Sequence, residues 1–426
     1  MSLPRFTAPA WFRHTNIYEV NCRQYSEAGT IRAFQESLPR LKEMGIETLW
    51  FMPLTPIAQK NKKGTMGSYY ACRDFISIDP EFGTEADFKT LVAVAHEMGF
   101  KVIIDWVANH TGWDHEWTIT HPEYYLKDEA TGDFKMASGM DDIIELDYNY
   151  LPMRQAMIDA MAYWIREFDI DGFRCDLAFW VTLDFWIEAR AELDQQKSLC
   201  WFGEFDALEK PEYMQAFDAS YSWSWMHASA AFCKNETSLD HLRNLLLQYA
   251  QLPIHHLPVW FTANHDENSW NGTEYEKYGN RALALAVLSF TWKGIPMIYS
   301  GQELPNNKRL DFFDKDPIAW NGDYALHQFY KTLIMLHQQF SATSADTAEM
   351  SLLNTHEDAS VLAWHRKNET AELLVLINMS DETVGFVIDH DQVHGNFTDI
   401  FSREITEELK GFHFLIPAGG FRVLVK

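Results

Sequence analysis

The chain has 426 residues, 47% of them hydrophobic, with 35 Lys and Arg against 61 Asp and Glu and a net charge of −26 at pH 7. That length exceeds one ordinary core and predicts a large domain with a smaller one beside it. The acidic balance, relieved by no basic run longer than Lys60, Asn61, Lys62 and Lys63, argues against nucleic acid as a partner. Five cysteines, at 22, 72, 175, 200 and 233, are odd in number and lack C-x-x-C spacing. They indicate neither a zinc site nor a disulfide framework and read as free thiols.

From Met1 to Phe12 there is no apolar run of signal-peptide length, and no stretch of about 18 apolar residues follows anywhere. The chain as given reads as soluble and cytoplasmic, without a membrane partner; a periplasmic or secreted location requires that an export signal has been removed. Ile17 to Cys22 and Thr48 to Pro53 are the first two β-rich runs. Between them Phe34, Leu38, Leu41 and Met44 recur at helical spacing, and Gly45 fits a helix stop. A clear helix precedes the third run, Lys101 to Trp106. Thr84 caps it, Glu85 and Asp87 lie in its first turn, Phe88, Leu91, Val92 and Ala95 share one face, and Gly99 ends it. Residues 111–150 form a polar, aromatic stretch too long for an ordinary loop and read as a small inserted subdomain. A helix resumes at Pro152, with Met157, Met161, Trp164, Ile165 and Phe168 facing the core.

Five more runs follow, at Asp171 to Asp176, Leu199 to Glu204, Ala216 to Ser220, Val259 to Asn264 and Pro296 to Tyr299. Eight strands alternating with helices predict a (β/α)8 TIM barrel of class α/β, made from residues 1–110 and 151–342. From about Thr343 strands come without helices, at Ser360 to His365, Glu372 to Asn378, Gly385 to Asp389 and Phe412 to Pro417. Residues 343–426 therefore read as a C-terminal antiparallel β-sandwich domain, with Trp364 and Phe397 in its core and edge.

Three strand ends carry one carboxylate each: GFRCD (Gly172 to Asp176), FGE (Phe202 to Glu204) and TANHD (Thr262 to Asp266). Splitting a glycosidic bond needs one carboxylic acid for the leaving oxygen and one carboxylate for the developing positive charge; Asp176, Glu204 and Asp266 supply both. Arg174, two residues before Asp176 on the same strand face, is expected to hold it ionised. Whichever of the three donates the proton must keep it near neutral pH, which a partly desolvated pocket beside other carboxylates favours. Aromatic residues, 15% of the chain with 16 Trp, offer rings for sugar faces, although most Trp read as core.

These strings resemble the alpha-amylase family of glycoside hydrolases. DWVANH (Asp105 to His110) is similar to the family's third-strand motif, GFRCD to the fourth, FGE to the fifth and TANHD to the seventh; GIETLWFMP (Gly45 to Pro53) and GIPMIYSGQE (Gly294 to Glu303) resemble the second and eighth regions. The resemblance implies that Asp176 is the nucleophile, Glu204 the general acid and base, and Asp266 the carboxylate on the sugar's 2- and 3-hydroxyls. It also implies substrate contacts from His110 and His265, and a stacking ring from Tyr69 in GSYYACRDF, with Tyr70 the rival. The implied ligand is an α-1,4-glucan or maltooligosaccharide, cleaved with retention. Cyclomaltodextrinase-like, α-1,6-cleaving and transglycosylating relatives share that chemistry, and an inactive glycan-binding protein would share the fold.

The pattern departs from the family at Phe179 and Trp180, where a Lys-His pair is usual, so the grip beyond the cleavage point differs. Asn109 matches the family's calcium-binding Asn. A calcium site needs about six to eight oxygens, for which Asp141, Asp142 and Asp147 are the candidate acids; no organic cofactor is implied. IIELDY (Ile143 to Tyr148) matches no common subfamily version, and oligomeric state is not legible.

Overall fold

Eight parallel strands close into a barrel: Ile17–Val20, Thr48–Phe51, Lys101–Trp106, Gly172–Cys175, Cys200–Asp206, Ala219–Tyr221, Leu257–Trp260 and Ile295–Tyr299. The computed structural model describes residues 6–426 except 323, 345, 346, 389, 390, 392 and 410. The expected strand end at Asp389 and the first five residues lie outside that set. The first strand pairs with the second, Ile17 opposite Thr48, and with the eighth, Ile17 opposite Met297, which completes the closure.

Strand alternation sends Ile17, Trp50, Ile103, Phe202, Val259 and Met297 into the barrel interior, where they pack together. Phe173, Cys175 and Trp201 face the other way, into the layer shared with the helices. That layer is positioned by local signals. Helix Glu85–Glu97 starts in a capping box in which Thr84 and Asp87 satisfy each other's backbone N–H groups. Helix Leu151–Phe168 opens with Pro152 in its first turn. Gly45 ends helix Leu38–Met44 at φ 99°, and a Cβ there would stand 2.7 Å from the Ile334 side chain.

The first, sixth and seventh strands depart from their sequence-derived bounds for local reasons that the structure shows. The first stops at Val20 because the Asn21 side chain caps a short helix, Cys22–Tyr25. The sixth begins three residues late, at Ala219, since Ala216 and Phe217 still donate to the Tyr213 carbonyl. The seventh ends at Trp260, and Phe261 to Asn264 continue without ladder pairing into a π-helical turn, Glu267–Asn271.

After the third strand, His110–Gly112 pairs antiparallel with Ile143–Glu145. The Tyr148 hydroxyl donates to the Ala108 carbonyl at 2.7 Å, tying this excursion to the barrel mouth. At the C-terminal end a six-stranded antiparallel sheet packs against a two-stranded antiparallel sheet of Val384–Val387 and His413–Ile416. Trp364 meets Trp292 of the barrel at 5.5 Å, and the buried Arg366 guanidinium donates to the carbonyls of Thr291, Thr343 and Ser344. Among the described residues, no helix is long and apolar enough to cross a membrane.

Asp171, just before the fourth strand, is buried between His96 at 2.7 Å and Lys101 and Lys197, each at 3.2 Å, and it accepts from the Val102 N–H. Burial pushes its carboxyl pKa up, but the His96 and Val102 hydrogen bonds and the Lys197 charge outweigh it, leaving a value of about 2. Its contribution to stability is present above the unfolded value and is lost as pH falls through that folded value. Asp171→Asn is expected to cost about 2 kcal/mol at pH 7. In denaturant melts the deficit should shrink as pH drops below about 4.

Candidate active site

At the C-terminal end of the barrel the apolar interior gives way to Glu19, Asp105, Arg174 and Glu204, all buried. The guanidinium of Arg174 is wholly buried, 4.9 Å from the Trp50 ring centroid and 5.6 Å from that of Tyr221. It donates to both Asp105 oxygens, at 2.9 and 3.1 Å, and to Asp176 Oδ1 at 3.1 Å. Arg174 Nη2 also lies 2.7 Å from Glu204 Oε2, although its N–H is not aimed well enough to count as a hydrogen bond. This contact is an ion pair with poor direction.

One cation thus serves three carboxylates. Burial raises the Asp176 pKa well above the usual carboxylate range, the nearby Glu204 charge adds to this, and Arg174 only partly offsets them. The expectation that Arg174 keeps Asp176 readily ionised is therefore corrected: the guanidinium is shared. Asp105 is likewise pushed up to about 6, chiefly by burial and against the pull of Arg174.

Glu204 Oε2 also accepts from the Leu177 N–H at 2.9 Å. Leu177 has φ 40° and ψ 47°, a left-handed conformation rare for such a residue, which turns its N–H toward Glu204. With Oε2 engaged, Oε1 is the oxygen left for a ligand.

A second chain of contacts starts at Glu19, whose Oε1 lies 2.5 Å from His265 Nδ1. His265 Nε2 is 2.7 Å from the Tyr70 hydroxyl and 3.3 Å from Asp266, and Tyr70 donates to Asp105 at 3.1 Å. Burial opposes a charge on His265, but Asp266 and Glu19 hold it protonated well above the usual imidazole range. Burial would raise Asp266 too; the His265 charge and hydrogen bond outweigh it, and the carboxyl sits below its usual value.

Above these groups opens a cavity of about 410 Å³ lined by Tyr70, His110, Asp176, Glu204 and Asp266 among others. Lys63, Asp142 and Leu177 complete part of its wall, as do the rings of Trp270, Phe312 and Phe313. Burial brings the His110 pKa down to about 4, so the ring is neutral at pH 7, and its buried Nε2 has no hydrogen-bond partner. Arg174 and His265 are not part of this lining but contact it, through Asp176 and Tyr70.

Tyr69 does not line the cavity. Its ring is covered by the Arg23 guanidinium at 4.1 Å and its hydroxyl donates to Asn21. Tyr70, the next residue of the same turn, lines the cavity instead. Phe179 and Trp180 lie in a short turn, Ala178–Trp180, half-buried and outside the cavity lining.

The calcium expectation at Asn109 meets a poor fit. The Asn109 carbonyl accepts from the Leu146 N–H, and its amide lies 3.4 Å from His110 Nδ1. Lys63 Nζ takes Asp141 at 3.1 Å and Asp142 at 2.8 Å, while Asp147 caps its own turn at Asn149. Among the described residues no group of three or more His, Cys, Asp or Glu is arranged to hold a metal ion. Each of these residues is thus engaged with a partner within the protein.

A model of the alpha-amylase catalytic domain matches residues 8–137 and 121–321. The chain belongs to the alpha-amylase family. It is 27% identical over 435 residues to the alpha-amylase MalA of Haloarcula japonica, covering 94% of this chain and 60% of that protein. A cyclomaltodextrinase of a Bacillus species is 25% identical over 374 residues, 82% of this chain and 65% of that one. The chain thus spans less than two thirds of each of these two relatives. The crystal structure of a noncanonic maltogenic alpha-amylase, AmyB from Thermotoga neapolitana, superposes with a TM-score of 0.89 at 29% identity, covering 97% of this chain and 98% of that one.

Within this family member, sequence reasoning left Glu19, Trp270, Phe312 and Phe313 unassigned. Glu19 was visible as a lone acid in an apolar strand; the three rings come from loops with no periodic signal. Arg174→Lys keeps the charge but loses the planar fork. It is expected to lower kcat/KM by about 100-fold and to move the acid limb of its pH profile up by about one unit. The upward sign follows if activity requires Asp176 ionised, since a weaker guanidinium contact lets it hold its proton to higher pH; steady-state rates from pH 4 to 8 check it.

Proposed function

We propose that this protein is a retaining hydrolase of α-1,4-glucosidic bonds in starch, glycogen fragments or maltooligosaccharides. The observation that carries this reading is the single buried guanidinium holding Asp176 and Glu204 at the floor of a cavity that Asp266 also lines. Asp176 attacks the anomeric carbon while Glu204 gives a proton to the departing oxygen. One C–O bond forms as the other breaks, leaving a glycosyl ester. Glu204 then takes a proton from water, which displaces Asp176 and releases the sugar with its configuration retained.

The geometry supplies the supporting roles. Asp266, held ionised by His265, suits the sugar's 2- and 3-hydroxyls. His110 offers its free Nε2 to a further hydroxyl, and Tyr70 replaces Tyr69 as the ring against the sugar. The excess of carboxylates over cations favours the positive charge that develops at the sugar carbon. A calcium ion is not needed for any of these roles. Nucleic acid and membrane are not partners in this reading.

A second reading, a preference for cyclic maltooligosaccharides, is favoured by the likeness to a Bacillus cyclomaltodextrinase, 25% identical over a stretch covering 82% of this chain.

Incubation with soluble starch, β-cyclodextrin, pullulan and maltotriose, with products resolved by chromatography, tests both. Fastest shortening of starch is expected; preference for cyclodextrin would favour the second reading. Asp176→Asn should lower every rate at least about 1,000-fold. Equal background rates in both proteins would reduce the chain to a glycan binder.

A further inference from the structure

Among the described residues Trp270 is the only exposed tryptophan, with 52% of its surface open. An indole left in water forgoes its largest source of stabilisation, so its position calls for a reason. It lies four residues beyond Asp266, in the π-helical turn Glu267–Asn271, a rare form that occurs frequently at functional sites.

The turn is held at several points. Glu267 accepts from Lys277 at 3.0 Å and from Asn271 at 2.8 Å. Asn268 donates to the Lys308 carbonyl and accepts from the Leu310 N–H, and Ser269 donates to the Leu310 carbonyl. The same strapping fixes the following loop, which carries Phe312 and Phe313. Trp270 packs on these rings at centroid distances of 5.2 and 5.6 Å. Phe312 in turn stacks at 18° on Tyr70, at 6.2 Å. The result is a continuous aromatic wall running from Tyr70, beside the reacting carboxylates, out to Trp270 at the rim.

We propose that Trp270 is the platform on which a second glucosyl unit stacks, next to the unit held by Asp266, and so sets the preference for chains over single glucosides. This rests on the function proposed above. A pyranose presents apolar C–H faces to a flat ring and hydroxyls around its edge. The wall supplies the ring, while Lys63, paired with Asp142 across the cavity, supplies a polar edge. Trp270 lines the same cavity as Asp266, which places the platform beside the group gripping the first sugar.

The test compares Trp270→Ala and Trp270→Phe with wild type on 4-nitrophenyl α-glucosides of increasing chain length. Trp270→Ala should cut the ratio of kcat/KM for chains to that for the single glucoside by about 10-fold, mostly through KM. Trp270→Phe, which keeps a ring, should cut it by less than about 3-fold. Equal losses at every length, or none, would overturn the proposal. Calorimetry of maltopentaose with the Asp176→Asn protein, with and without Trp270→Ala, separates the two readings because it needs no turnover. Weaker binding on losing the indole supports the platform even if wild type cleaves nothing. Unchanged binding removes the platform even if cleavage is normal, and absence of binding in both forms contradicts it.

Discussion

The site depends on the burial of Arg174. A guanidinium taken fully out of water costs several kcal/mol unless its donors are matched, and here it is sandwiched between Trp50 and Tyr221 with Asp105, Asp176 and Glu204 around it. Its position follows from strand alternation: the fourth strand places Arg174 inward beside Asp105 of the third, opposite in register, while Phe173 and Cys175 turn to the helices. The carboxylates outnumber the cation. The cluster therefore retains a proton or attracts positive charge, which suits an acid and a nucleophile sharing one floor and an oxocarbenium-like transition state above them.

The second charge chain complements the first. Glu19 and Asp266 flank His265 and keep it cationic, and Tyr70 joins that imidazolium to Asp105. Two buried cations, one from the fourth strand and one after the seventh, are thus linked through a tyrosine and a carboxylate. Disturbing either is felt by the other, because in a water-poor site such interactions are weakly screened. Leu177 holds Glu204 from the outer side at the expense of an unfavourable backbone conformation, the kind of local strain that functional sites carry.

The barrel and the three carboxylates that line its cavity were legible because each signal was local. Strand runs end in Asp176, Glu204 and close to Asp266, and helix starts such as Thr84 with Asp87 declare themselves within four residues. What failed did so where no periodicity constrains the chain. Tyr69 and Tyr70 are adjacent in a loop, and only the fold decides that Arg23 covers one ring while the other faces the cavity. The Asp176 environment was misread because the sequence shows Arg174 as its neighbour and hides that Asp105 and Glu204 claim the same guanidinium. Asn109 and its acids looked like metal ligands until Lys63, distant in sequence, was seen to occupy two of them. Trp270, Phe312 and Phe313 belong to two loops brought together by Asn268 and Ser269, a contact that no spacing announces.

The central claim is that Arg174 sets Asp176 as nucleophile and Glu204 as acid and base. Its most direct test is to trap the glycosyl-enzyme with an activated 5-fluoroglycosyl fluoride and locate the adduct by peptide mass spectrometry. The account predicts a single glycosyl ester on Asp176, absent from Asp176→Asn and slow to form in Arg174→Lys. An adduct on another residue, or rapid turnover of this reagent by Asp176→Asn, would contradict it.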